Sequence, residues 1–198
     1  MLRTYTLSDV FTLLNAGCGT LAVFVCLDYV GEDEKRLLWP VFLLLPAALV
    51  CDILDGTVAR RTRRRSSIGA DLDSLADIVS FGVAPAVLGF TLGMRGIWDV
   101  LVLTFFVVCG ISRLARFNVT AAALADASGK VKYFEGMPIP GNILIVALLG
   151  IAFGLGHTGP SLWFGALHFG SGTLHPLTLL YALSGCAMIS ATLRIPKP

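Results

Sequence analysis

The stretch Asp52-Ile53-Leu54-Asp55-Gly56-Thr57-Val58-Ala59-Arg60, followed further along by Gly69-Ala70-Asp71-Leu72-Asp73-Ser74-Leu75-Ala76-Asp77, decides how this chain folds. Asp52, Asp55, Gly56, Ala59 and Arg60 stand at i, i+3, i+4, i+7 and i+8, which is one stripe of an α-helix. Gly69, Asp73 and Asp77 form a second stripe at i, i+4 and i+8. Only a short basic connection separates them, so the two helices are expected to be antiparallel neighbours with converging carboxylates. At about 1.5 Å rise per residue, Asp52 lies roughly 12 Å deeper than Arg60, and Asp77 roughly 12 Å deeper than Gly69. All four stripe aspartates then meet at similar depth.

Working outward, both helices are embedded in apolar sequence. Of the 198 residues, 56% are hydrophobic and 14% charged, with a mean hydropathy of +0.80. Soluble domains carry about 25% charged residues, so disorder and an ordinary water-soluble fold are both excluded. Apolar runs at about 7–29, 37–60, 68–93, 97–117, 139–156 and 173–195 predict an all-α, polytopic membrane protein: one domain over 1–198, a bundle of six spans. Residues 159–172, with Trp163, Phe164, His168 and Phe169, are too short to cross and read as interfacial or re-entrant. A cytoplasmic N-terminus puts every Lys and Arg except Lys35, Arg36 and Arg95 on the cytoplasmic side, which satisfies the positive-inside rule. That side includes Arg3, Arg61, Arg63, Arg64, Arg65, Lys130, Lys132, Arg194 and Lys197. The net charge of +2 and the lack of a basic stripe argue against nucleic acid. Cys18, Cys26, Cys51, Cys109 and Cys186 show no paired spacing and read as packing residues. No removable signal peptide is expected.

An aspartate at mid-membrane is unfavourable by about 2.5–3.5 kcal/mol, so Asp52, Asp55, Asp71, Asp73 and Asp77 require compensation or a function. Facing hard oxygen ligands select Mg2+, Mn2+ or Ca2+ over zinc. Two ions would neutralise four carboxylates, and a two-metal centre suits displacement at phosphorus. Gly56 and Ala59 leave room beside the helix, and Arg60 offers a fork for phosphate; the pocket is read as a diphosphate site. Asp71 falls off the stripe and reads as a rim carboxylate paired with a loop arginine.

The spacing from Asp52 through Asp55-Gly56, Ala59-Arg60, Gly69 and Asp73 to Asp77 resembles the signature of the CDP-alcohol phosphotransferase family. The resemblance implies a six-helix membrane enzyme, usually a homodimer, that moves a phosphatidyl-type group from a CDP-linked lipid to an alcohol and releases CMP. It implies Asp77 as general base, Asp52, Asp55, Asp73 and Asp77 as metal ligands, and Gly56, Ala59, Arg60 and Gly69 with Asp55 lining the CDP-lipid site. Three further stretches, Leu72 to Ala86, Arg113 to Asn118 and Phe134 to Pro140, resemble the phosphatidylserine synthases of that family. They imply CDP-diacylglycerol and L-serine as substrates and an active site facing the cytoplasm. Met137, Gly141 and Asn142 depart from the usual pattern.

Serine brings a carboxylate and an ammonium. Arg113 and Arg116 can bind the carboxylate, with helix-end snorkelling as the alternative; Asn118 can accept from the ammonium. Asn15 is either a nucleotide contact or an interhelical hydrogen bond. His157, His168 and His175 read as interfacial, the loop arginines as anchors for anionic headgroups, Pro46 as a kink that opens a cavity, and Pro138 and Pro140 as shaping the start of the fifth run. The rival from another class is a cation or proton transporter, which needs no Gly56, Ala59 and Arg60 beside the acids. Within the enzyme class the rival acceptors are glycerol 3-phosphate and inositol phosphate.

Overall fold

A computed structural model describes residues 6–32, 35–62, 68–124, 133–170 and 172–196. The loop arginines Arg63, Arg64 and Arg65, together with Arg3, Lys130, Lys132 and Lys197, lie outside the described residues. Helix α1 is Leu7–Glu32, α2 Val41–Thr62, α3 Gly69–Asp77, α4 Ala84–Leu92 and α5 Ile97–Leu124; the shorter α6 is Ile143–Gly154 and α7 Leu179–Ile189. Among the described residues four helical stretches have the length and composition to cross a membrane: Leu7–Val30, Val41–Arg61, Gly69–Leu92 and Ile97–Val119. The protein is therefore a largely helical integral membrane protein.

The last third differs from the expected pair of long spans. Ile139–Gly154 and Pro176–Ile189 are apolar helices shorter than the four. Prolines explain where they start: Pro138 is extended and Pro140 falls in a tight 3-10 turn before α6, while Pro176 begins another before α7. Gly156, at φ 83°, accompanies the end of α6. Two small antiparallel sheets also depart from a purely helical reading. Strand β1, Tyr133–Glu135, pairs with β4, Arg194–Pro196, in the register Phe134 opposite Ile195. Strand β2, Leu167–Phe169, pairs with β3, Gly172–Leu174. The 159–172 segment is thus a 3-10 turn and most of a hairpin, with Phe164 and Phe169 exposed.

Helix α1 packs most extensively on α2, and α5 on α7. The centre of the bundle is the continuous span Gly69–Leu92, whose apolar window is 61% buried against 17–39% for the other three. This span is interrupted at its midpoint by a π-helical turn, Ile78–Val83, where the Ala84 amide donates to Val79 five residues back. Pro85 supplies a reason: it has no N–H for the Phe81 carbonyl. The Asn142 amide supplies the missing donor, 2.9 Å from the Phe81 oxygen, and its own oxygen accepts from Ser184 at 2.5 Å. Tyr181 donates to the Pro85 carbonyl at 2.7 Å and sets its ring edge-on to Phe106. Asn142 is thereby the joint between the π turn, the start of α6 and α7.

At the start of α5, buried Asp99 accepts from the Gly96 amide, the His175 amide and ring, and the Thr178 hydroxyl, at 2.6–3.0 Å. His175 is thus a structural partner. His157 contacts the Ser161 carbonyl at 3.0 Å. Pro46 sits inside α2, beside an apolar groove lined by Phe42, Val146 and Gly150. All five cysteines are free, with Cys26 and Cys109 buried.

Candidate active site

Helices α2 and α3 bring the acidic stripes face to face. One carboxylate oxygen each from Asp52, Asp73 and Asp77 lies within 4.8 Å of the other two; Asp77 is buried and its companions half-buried. Oxygens facing each other across one ion are separated by about 4.2 Å for Mg2+ and about 5 Å for Ca2+, so this group could hold a divalent ion with little adjustment. The donor set is hard oxygen throughout, and the Asn15 side-chain oxygen beside it is buried with no donor among the described residues. Three carboxylates converge rather than the four expected: Asp55 stands outside the trio and accepts a hydrogen bond from Thr12.

Helix α1 crosses both acidic helices and touches each. The Asn15 amide donates to Asp77 Oδ1 at 3.3 Å, so the interhelical role of this residue is present in the structure. Ser80, in the π turn, donates to the Asn15 backbone carbonyl at 2.8 Å. That close approach requires glycine at position 19, because a Cβ there would meet Ser80 Cα at 2.8 Å. Asp77, the last α-helical residue before the π turn, is thus held from α1 by Asn15, and the turn that follows it by the Ser80 contact.

The proposed substrate-binding residues distribute unevenly. Among the described residues, only Arg60 Nη1 lies within 4 Å of where a Cβ on Gly56 would sit. Arg60 is exposed in the last turn of α2 and makes one long contact, 3.4 Å, to the Thr57 hydroxyl. Ala59 and Gly69 are half-buried on the two facing helices. Arg113, from α5, is buried, lies 5.4 Å from the Phe117 ring centroid, and is within electrostatic reach of Asp73 and Asp77. Its Nε–H has no partner among the described residues. Arg116 instead donates to the Ile189 and Met188 carbonyls at the end of α7, at 3.0 and 3.4 Å. Asn118 exchanges hydrogen bonds with Ser74 at 3.0 and 3.2 Å and reaches Asp71 at 3.5 Å, joining α5 to α3. The partner seen for Asp71 is therefore Asn118.

Sequence reasoning missed Thr12, Ser74 and Ser80. A signal for the first was present: Ser8, Thr12 and Asn15 stand at i, i+4 and i+7 in an otherwise apolar span, and polar residues so placed bond across helices. Ser74 and Ser80 carry no comparable pattern, since their partners come from α5 and α1.

A membrane helix bundle that gathers carboxylates beside small residues and a buried arginine suits an enzyme acting on a phosphate-bearing lipid. Residues 5–181 match the model of the CDP-alcohol phosphatidyltransferase family. The chain belongs to that family. It is 40% identical over 206 residues to the CDP-diacylglycerol–serine O-phosphatidyltransferase of Saccharomyces cerevisiae, covering all of this chain and 73% of the yeast protein. It is 38% identical to the archaetidylserine synthase of Methanothermobacter thermautotrophicus, over 68% of this chain and 53% of the relative. The CDP-diacylglycerol–serine O-phosphatidyltransferase of Methanocaldococcus jannaschii is 37% identical over 73% of this chain and 60% of its own length. This chain thus spans little more than half of the two archaeal relatives.

Proposed function

We propose that this protein transfers the phosphatidyl group of CDP-diacylglycerol to the hydroxyl of L-serine and releases CMP. The observation that carries the reading is the Asp52, Asp73 and Asp77 group with buried Arg113 in electrostatic reach of it, in a chain 40% identical to a CDP-diacylglycerol–serine O-phosphatidyltransferase.

The chemistry follows from the residues. Asp77, held by Asn15, accepts the proton of the serine hydroxyl at a carboxylate oxygen; general bases of this kind contribute about 10²–10⁴-fold. The serine oxygen attacks the β-phosphorus, the bond from that phosphorus to the bridging oxygen breaks, and the electron pair leaves with CMP. Divalent ions, Mg2+ or Mn2+ with Ca2+ as a further occupant, held by Asp52, Asp73 and Asp77 and, for a second ion, by Asp55, would neutralise the diphosphate and the charge gathering on CMP. Gly56 and Ala59 give the nucleotide room against α2, Arg60 and Gly69 flank its phosphates, and Asn15 offers its unpaired oxygen. The Arg113 Nε–H supplies a donor for the serine carboxylate; Arg116 and Asn118, on the same helix, complete that wall by fixing α7 and α3 around it.

The same reading takes residues 1–198 as one membrane domain in the cell membrane. It counts 139–156 and 173–195 as spans five and six, turns the aspartates to the cytoplasm and makes the enzyme a homodimer. The test is an acceptor panel on purified protein given CDP-diacylglycerol and Mn2+ or Mg2+. L-serine is expected to yield CMP and a serine phospholipid. CMP release with glycerol 3-phosphate or inositol phosphate, and none with serine, would refute the assignment.

A further inference from the structure

The first helix reaches the site with three buried polar residues, Ser8, Thr12 and Asn15, on one face. Asn15 touches Asp77 directly. Thr12 does something different. A helical threonine ordinarily returns its hydroxyl to the carbonyl four residues back, and the Ser8 oxygen is in range at 3.2 Å. The Thr12 hydroxyl nevertheless lies closer to Asp55 Oδ2, on another helix. Asp55 is the one carboxylate of the paired stripes outside the converging trio, and it lies within electrostatic reach of Asp9 and Asp73, both of like charge. Among the described residues, the neutral donor that contacts it is Thr12.

We propose that Thr12 is a positioning residue: its hydroxyl fixes the orientation of Asp55 beside the Asp52, Asp73 and Asp77 group and so sets how tightly the site holds a divalent ion. The proposal rests on the metal-dependent reading above. Three physical features support it. A β-branched side chain in a helix has few rotamers, so the donor is stiff. Thr12 is 2% exposed, leaving no water to replace it. Helix α1 is itself located against the acidic helices, by its packing on α2 and by the Gly19–Ser80 approach to the π turn. Hydrogen bonds to ligating carboxylates from such outer groups are worth about 10–100-fold in metal affinity or activity.

The experiment uses the full chain in detergent, stripped of metal, titrated with Mn2+ and followed by the electron paramagnetic resonance signal of the free ion; turnover at varied Mn2+ is the second readout. Thr12→Val, which keeps the shape and removes the donor, is expected to weaken Mn2+ binding about 10–100-fold, with turnover restored as Mn2+ is raised. Thr12→Ser is expected to bind within a few-fold of wild type. In an Asp55→Asn background, Thr12→Val is expected to add nothing. If Thr12→Val does not fold, Thr12→Ala carries the same expectation. Wild-type Mn2+ affinity in the folded donor-less variant, Thr12→Val or Thr12→Ala, or an undiminished effect in the Asp55→Asn background, would overturn the positioning role. A wild-type protein that binds no Mn2+ would instead overturn the metal reading beneath it.

Discussion

Replacing Arg113 by lysine separates the two things this side chain brings to the site. Lysine keeps a positive charge in reach of Asp73 and Asp77 and loses the planar fork, including the Nε–H that has no partner among the described residues. A hydrogen bond from a charged donor to the serine carboxylate contributes about 1.5–3 kcal/mol. At about 1.36 kcal/mol per decade, its loss corresponds to roughly a 10- to 150-fold rise in the KM for serine. The stacking of the guanidinium on Phe117 is partly kept by an ammonium, so the fold is expected to survive. The assay is CMP release in detergent or lipid nanodiscs at saturating CDP-diacylglycerol with serine varied, then the reverse. The KM for serine is expected to rise while the KM for CDP-diacylglycerol stays within a few-fold, because the nucleotide contacts proposed above lie on α1, α2 and α3 and not on α5. A serine KM within twofold of wild type, or an equal rise for both substrates, would refute the assignment of this arginine to the acceptor.

Three further outcomes follow from the same geometry. Asp77→Asn is expected to lower kcat by about 10²–10⁴-fold; initial-rate CMP release checks it, and full turnover would remove Asp77 as the base. Asn142→Leu leaves the Phe81 carbonyl and the Ser184 hydroxyl without their partners. At about 1–3 kcal/mol for each buried unpaired group, thermal unfolding in detergent is expected well below wild type. Asp99→Ala strips four donors, the Gly96 amide, the His175 amide and ring and the Thr178 hydroxyl, of a buried acceptor, and a comparable loss of thermal stability is expected. Asp99 and Arg113 are about 21 Å apart along α5, so CMP release at low temperature is expected to persist in the Asp99 variant.

Much of the site is legible in the sequence because membrane helices make spacing into geometry. Asp52 and Asp55 three apart, and Asp73 and Asp77 four apart, have to share helix faces, and the short connection between them has to make the helices neighbours. Spacing does not reveal that Asp55 is drawn to Thr12, since which polar group on α1 meets which carboxylate depends on the rotation of α1 against α2. The two arginines of α5 make the point again. At a spacing of three they look equivalent, yet the position of α7 gives Arg116 two carbonyls and leaves Arg113 buried near the acids. The fifth run, 139–156, is close to the observed Ile139–Gly154, whereas the sixth reads as a longer helix than Pro176–Ile189 because apolar composition continues through its flanking turns and strands, where Pro176 rather than hydropathy sets the start.

Taken by itself, the amino-acid order determined the solvent, the helical class and the two acidic helix faces, because each is a matter of local periodicity and of the cost of charge in lipid; the phosphotransferase chemistry came from the resemblance of that acidic spacing to a known family. The tertiary structure alone decided the π turn after Asp77, the three-carboxylate convergence, the division of labour between Arg113 and Arg116, and the bond from Thr12 to Asp55. These depend on contacts between residues distant in the chain, whose partners are chosen by how whole helices rotate and pack.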